Sequence, residues 1–177
     1  MVNTCFVARS QHGRKEATSR TPDGKMPGES KSSPREIQNY LGRISGPLLD
    51  RVDLHVEVPP VKFREISGDR TGETSAEIRE RVVAARKRQQ KRFAHKPKIT
   101  CNARMGPKEL KEFCGLDSTA QELLKFAMAD LNFSARAYDR ILKVARTIAD
   151  LAASENVLAD HVSEAIQYRS LDRQIWG

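Results

Sequence analysis

Hydrophobic positions fall along this chain in three regimes. Residues 1–32 are polar and rich in Gly, Pro, Ser and Lys, with Phe6 and Val7 the only adjacent bulky apolar pair after the initial Met1-Val2. Such a stretch buries too little surface to offset its ordering entropy, and it reads as a disordered tail. A short middle section follows. Ser33-Pro34-Arg35-Glu36 carries a cap, a proline suited to the first helical position and a capping-box glutamate. These residues predict a short helix with Ile37, Tyr40 and Leu41 on its apolar side, ended by Gly42. Beyond it the chain alternates strictly, with Val52, Leu54, Val56 and Val58 on one side and Asp53, His55 and Glu57 on the other. This predicts a strand with one buried face, stopped by Pro59-Pro60.

The remainder has helical periodicity. Thr74 and Glu77 form a capping box for a helix over about Ser75 to Phe93, with Ile78, Val82, Ala85, Gln89 and Phe93 at helical spacing. Four further helices are expected. One runs from Pro107 to Cys114, and one from Asp117 or Ser118 to Leu131. A long one is capped by Ser134, reaches about Ala153 and carries Tyr138, Ile141, Leu142, Ala145, Ile148 and Ala149. The last is capped by Asp160 and carries Val162, Ala165 and Ile166. The intervening loops are short, as in a compact helical domain. The partition is therefore a tail over 1–32, a block over 33–100 holding one strand and flanking helices, and a helical domain over 101–177. A single strand needs partners, so part of the sheet is expected from elsewhere.

Composition narrows the class. The 177 residues carry 31 Lys plus Arg against 23 Asp plus Glu, a formal charge of +8, and the excess is local. Residues 51–100 hold 13 basic and 7 acidic side chains, whereas residues 101–177 hold 10 and 11. The helix near Ser75 to Phe93 alone carries Arg79, Arg81, Arg86, Lys87, Arg88, Lys91 and Arg92 against Glu77 and Glu80. Such a helix either faces a phosphate backbone or is a solvated or intersubunit face. Phe93 is its one aromatic residue, so stacking on single strands is not signalled. No apolar run reaches membrane-spanning length, and residues 1–10 lack the apolar core of a secretory signal. The three cysteines (Cys5, Cys101, Cys114), an odd number with no paired spacing, point to a reducing, cytoplasmic setting, with Cys101 and Cys114 as small core residues. The four histidines are scattered, and no spacing of His and carboxylates predicts a metal site.

Two arginines stand out chemically. Arg51 follows a Gly-Pro turn and directly precedes the predicted strand. A guanidinium held there can reach a phosphoryl group on a neighbouring subunit, or it can pair structurally with Asp50 or Asp53. Arg136 lies in the first turn of the helix capped by Ser134, where a cation opposes the helix dipole; it either meets an anion or is a tolerated surface residue. No G-x-x-x-x-G-K-[ST] pattern is present in the chain.

Longer stretches carry a resemblance. Arg43-Ile44-Ser45-Gly46-Pro47-Leu48-Leu49-Asp50-Arg51-Val52-Asp53-Leu54 resembles the box that ends the ATPase core of magnesium-chelatase-type AAA+ ATPases. Residues 134–151, from Ser134-Ala135-Arg136 to Ala149-Asp150-Leu151, resemble the sensor 2 helix of that group. Ala165-Ile166-Gln167-Tyr168-Arg169-Ser170-Leu171-Asp172-Arg173 is similar to the C-terminal signature of its YifB/ComM branch. The resemblance runs from about Ser33 to Trp176. It implies a mainly α chain: a helical AAA+ lid of about four helices, preceded by the last strand and flanking helices of an α/β core. It further implies that Arg51 is an arginine finger acting on ATP of the adjacent subunit and that Arg136 is the sensor 2 arginine. ATP and Mg²⁺ would be the cofactors of the full-length family, which forms rings, and ComM-type members drive branch migration on DNA. The Walker motifs of the family have no counterpart here, and Asn3-Thr4-Cys5 only echoes its Cys-rich loop. The chain is thus expected to be a C-terminal portion that is inactive alone, with an ATPase core or neighbouring subunits as partners. DNA contact through Arg79, Arg86, Lys87, Arg88, Lys91 and Arg92 is the other expectation.

Overall fold

The computed structural model of the protein describes residues 31–41, 52–56, 72–131 and 133–169. The chain divides into two compact units, one of Cys5–Arg70 and one of Thr71–Gly177 with Met1–Thr4. In the first unit, helix α1 spans Pro34–Leu41. Its start follows from the capping box: Glu36 Oε2 accepts from the Ser33 backbone N–H at 2.7 Å and from its hydroxyl at 2.8 Å, and Ser33 Oγ accepts from the Glu36 N–H at 3.4 Å.

The strand expected over Val52 to Val58 does not form in its described part. Residues 52–56 have no strand structure, His55 is buried, and Val56 is 65% exposed. The alternation is therefore not expressed as one apolar face. Extended backbone becomes a strand only when a neighbour accepts and donates its ladder bonds. Among the described residues the one β-type pairing is an isolated parallel bridge between Leu116 and Val157.

Among the described residues the second unit is built from helices. They are α2 (Ser75–Arg92), a 3₁₀ turn (Asn102–Arg104), α3 (Pro107–Phe113), α4 (Ser118–Asp130), α5 (Ala135–Leu151) and α6 (Ala159–Gln167). The predicted starts of α2, α4 and α5 hold. Thr74 and Glu77 close their box, Asp117 Oδ1 accepts from the Ala120 N–H at 2.8 Å, and Ser134 Oγ accepts from the Ala137 N–H at 3.1 Å. The start of α6 is a correction. Asp160 is not its cap but lies inside the first turn, while the Leu158 N–H donates to His161 Nδ1 at 3.0 Å. The imidazole thus takes the place of the usual capping-box carboxylate.

Helix α5 is the hub. It packs against α2, α3, α6 and the 3₁₀ turn, and α4 packs against α6. The core joins Phe93, Met105, Leu110, Cys114, Leu124, Ile141, Leu142, Val157 and Val162 with small residues such as Ala145, Ala149 and Ala165. Alanines let neighbouring helices approach α5 closely, and each buried Leu, Ile or Phe contributes about 1.5–3 kcal/mol. The basic helix, grouped with residues 33–100 by its sequence neighbours, shares this unit with the other helices. Its apolar stripe divides: Ala85, Gln89 and Phe93 are buried, but Ile78 and Val82 are more than 40% exposed.

A buried polar cluster locks α2 to the C-terminal end of α5. The Asp150 carboxylate is fully buried and receives both terminal nitrogens of Arg92. Asn102 Nδ2 donates to Asp150 Oδ2 at 2.8 Å, and Arg146 Nη2 lies 3.1 Å from Oδ1. Arg146 also donates to the carbonyls of Glu155 and Ser154, each at 2.7 Å, and Arg88 donates to the Asp150 carbonyl at 3.1 Å. Burial pushes the Asp150 pKa upward, but the hydrogen bonds from Arg92 and Asn102 and the nearby positive charges outweigh it, so the carboxyl stays below its ordinary 3.8. Just beyond, the chain turns through Ala153 at φ 59°. Ser154 N–H bonds the Ala149 carbonyl at 2.8 Å and Ala153 N–H bonds that of Asp150 at 3.3 Å, the Schellman pattern with alanine where glycine is usual.

Asp150→Ala leaves the buried Arg146 and the half-buried Arg92 without their anion and should destabilise this unit by about 3–5 kcal/mol, read as a lower urea midpoint. A loss under about 1 kcal/mol would show that the cluster does not hold the helices. Because the folded pKa of Asp150 is depressed, its stabilisation is present above 3.8 and is lost as pH falls through the lower folded value. Acid titration of the wild type should therefore show an unfolding component below pH 3.8 that Asp150→Ala lacks. Ala153→Gly relieves a left-handed alanine at the expense of a more flexible unfolded chain. It should raise stability by about 0.5–1 kcal/mol, visible as a higher melting temperature.

Candidate functional site

The N-terminal end of α5 is the surface that the sequence marks for anion chemistry. Ser134, in extended backbone, closes the helix start with its side chain. Arg136 is then the second residue of the helix and is exposed, and Arg140, one turn later, is half-buried. The unpaired N–H groups of a first helical turn carry partial positive charge, so a guanidinium beside them concentrates positive potential at one exposed point. That arrangement suits a phosphoryl oxygen, which can accept from the planar donor fork of arginine. Arg51, the other candidate, lies outside the described residues.

Next to this end of α5 is an open groove of about 750 Å³. Its floor is apolar, with Leu110 and Cys114 from α3 and its end, Leu124 and Met128 from α4, and Leu142 from α5. Its rim carries Lys111, Lys125, Gln121 and Asp139. Tyr138, placed by periodicity on the apolar face of α5, is 41% exposed and borders the groove, while Ala137 beside it is buried. Burial of Cys114 raises its thiol pKa to about 11, so it stays protonated at neutral pH and behaves as a packing residue. Cys101 is buried as well.

The basic helix sorts its charges by location. Arg79, Lys87 and Lys91 are exposed, and Arg86 is half-buried. Arg88 and Arg92 direct donors into the Asp150 cluster, and Arg81 pairs with Glu73 through both guanidinium nitrogens, at 2.6 and 2.8 Å. The exposed cations of the nucleic-acid candidate set are therefore Arg79, Lys87 and Lys91. Among the described residues no group of three or more His, Cys, Asp or Glu could hold a metal ion, and no helix is long and apolar enough to cross a membrane.

The residues that sequence reasoning did not single out are Asp150, Arg146 and Asn102. The spacing of Arg146 and Asp150, four apart beside the alanines Ala145 and Ala149, was the available signal.

Comparison with known proteins follows the same division of the chain. Residues 72–169 match the family model described as magnesium chelatase, subunit ChlI C-terminal, and residues 8–66 match that described as magnesium chelatase, subunit ChlI. The second match begins well upstream of Ser33, where the motif resemblance starts. The chain is 43% identical over 156 residues to the competence protein ComM of Haemophilus influenzae, covering 86% of this chain and 30% of that protein. It is 39% identical over 155 residues to the uncharacterized protein YifB of Escherichia coli, with the same coverage. It is also 35% identical over 132 residues to an uncharacterized protein of Mycobacterium tuberculosis, covering 75% of this chain and 26% of that one. The chain thus spans about 30% of the length of each of the ComM and YifB relatives. On the two matched regions and the extent of these identities, the chain belongs to the magnesium-chelatase-like family, in its YifB/ComM branch.

Proposed function

We propose that residues 72–169 form the nucleotide-sensing lid of a ring-forming ATPase, with Arg136 as the residue that reads the terminal phosphate. The observation that carries this reading is the exposed placement of Arg136 in the capped first turn of α5. In the same reading Arg51 acts in trans as the arginine finger on ATP bound by an adjacent subunit, offsetting charge that builds on the transferred phosphoryl group. Mg²⁺ accompanies ATP on the phosphate-binding body, for which these residues offer no glycine-rich cradle of the P-loop type. The work of the assembled motor is ATP-driven branch migration of DNA, a reading supported by the similarity to a protein named for competence.

The isolated 177-residue chain is expected to show no ATP turnover above the protein-free blank. Joined to the remaining 70% of the ComM relative in place of its matching part, it should restore turnover. In that chimera Arg51→Ala should cut kcat by about 10³-fold with ATP binding retained, as for other arginine fingers. Arg136→Ala should leave assembly intact and lower turnover, whereas full activity of either variant would refute its assigned role.

The exposed set Arg79, Lys87 and Lys91 favours a second reading, direct contact of α2 with duplex DNA. If all three meet phosphates, log affinity should fall with log salt at a slope of about −2.7. Replacing all three with alanine should remove that dependence, and absence of binding at low salt would dispose of the idea.

A further inference from the structure

One face of α5 carries a row of cations that runs past its first turn. Arg136, Arg140 and Lys143 are spaced four and then three residues apart, so they stand one above another on the helix surface, over a rise of about 10 Å. Arg136 is exposed, and Arg140 and Lys143 are half-buried. The row continues onto a second element. Lys143 Nζ donates to the Ala103 carbonyl at 3.3 Å, which holds the 3₁₀ turn against α5 and places its next residue, the exposed Arg104, at the end of the row. Beyond Lys143 the same face passes to Thr147, whose hydroxyl accepts from Asn102 Nδ2 at 3.1 Å inside the polar cluster around Asp150. The face is thus divided: its distal part is used internally, and its proximal part carries Arg136, Arg140 and Lys143. The carboxylate nearest them on α5, that of Asp139, borders the groove on the side of α3 and α4. The concentration of charge is local, because residues 101–177 as a whole hold 10 basic and 11 acidic side chains.

A single phosphoryl group is satisfied by one arginine fork beside a helix start. A row of cations on the helix body and on the adjoining turn fits an extended anion with several linked charges. We infer, resting on the reading of Arg136 as the contact to the terminal phosphate, that Arg140, followed by Lys143 and Arg104, binds the phosphates behind the terminal one. This face of α5 then takes the linked phosphates of a nucleoside triphosphate in line. Arg140 suits the second position for two reasons. Its side chain is already half-buried, so less rotamer freedom is lost when an anion binds, and its planar fork can donate to two oxygens at once. Lys143, held to the turn at Ala103, adds a compact charge behind it.

The test titrates the full 177-residue chain with orthophosphate, pyrophosphate and tripolyphosphate at fixed pH and ionic strength, read by amide chemical shifts. Affinity should rise along the series, by about tenfold or more from orthophosphate to tripolyphosphate, since each further charge-assisted hydrogen bond is worth roughly that factor. The shifts should map to residues 135–143 and 103–104. Arg140→Gln should flatten the rise and leave orthophosphate binding in place, whereas Arg136→Gln should weaken all three anions alike. Arg140→Lys keeps the charge without the fork and should retain part of the rise, which separates loss of a contact from loss of the fold. Arg79→Gln makes the same change of charge at the start of α2, more than two turns before the Arg88 that meets the far end of α5, and should leave the series as it is. A full rise in Arg140→Gln overturns the inference, as does an equal flattening by Arg79→Gln, which would mean bulk charge alone. An effect of Arg136→Gln with none of Arg140→Gln overturns it and leaves the reading of Arg136 standing. No response of the wild type to any of the three anions, or none of Arg136→Gln, overturns both. A short DNA duplex that moves the same amides at lower concentration than tripolyphosphate overturns it in favour of a nucleic-acid strand.

Discussion

The carboxylate of Asp150 sets the terms for the rest of the helical unit. It is fully buried close to the C-terminal end of α5, where the helix dipole already disfavours negative charge. Such a placement is tolerable only if cations and donors surround the group on every side. Arg92 comes from α2, Asn102 from the 3₁₀ turn, and Arg146 from the preceding turn of α5 itself. Meeting the demand of one carboxylate therefore fixes three separate segments of chain in one place. The two guanidinium groups exceed the single negative charge, and Arg146 directs its surplus donors to the carbonyls of Ser154 and Glu155. Those carbonyls belong to the turn that leads into α6, so the same cluster also sets where the last helix begins.

A consequence follows for α5 as a mechanical element. Its 17 residues make a rod of about 25 Å. The C-terminal end is held by charged hydrogen bonds and the middle by closely packed alanines, whereas the first turn carries Arg136 and Tyr138 out to solvent. Ala137 in that first turn is buried all the same, so displacement at the start of α5 moves the helices packed on it together, because a densely packed interior does not deform gradually. The basic helix α2 is joined to the same rod through Arg88 and Arg92. Two surfaces of interest, the start of α5 and the exposed side of α2, thus belong to the same packed unit.

Local chemistry was legible in the sequence, and tertiary chemistry was less so. The starts of α1, α2, α4 and α5 could be read because a cap needs only residues three or four apart, as with Ser33 and Glu36 or Thr74 and Glu77. The start of α6 was misread because histidine is an uncommon capping partner, and Asp160 offered a more familiar signal. The region around Val52 to Val56 alternates as a strand does, yet alternation states only which face could be buried; the ladder must come from a partner segment that local sequence does not name. Ile78 and Val82 show the same gap, being in register for burial yet exposed in the first half of α2. The Asp150 cluster was hidden because its partners lie up to 62 positions apart.

Charge is where the sequence was most easily over-read. Seven basic residues on one helix resemble a nucleic-acid surface, and counting them treats each as equally available. Two of them satisfy Asp150 and its carbonyl, and a third is held by Glu73. What distinguishes them is position on the helix: Arg88 and Arg92 are four apart and flank Gln89, which faces the core, so their stems run along apolar surface and their heads reach the buried acid. Arg79, Lys87 and Lys91 lie off that stripe. The +8 of the chain is therefore a poor measure of affinity for phosphate, since part of it neutralises an internal anion. Arg136, in a region of near-zero net charge, stands instead where a capped helix terminus directs its field to one exposed point.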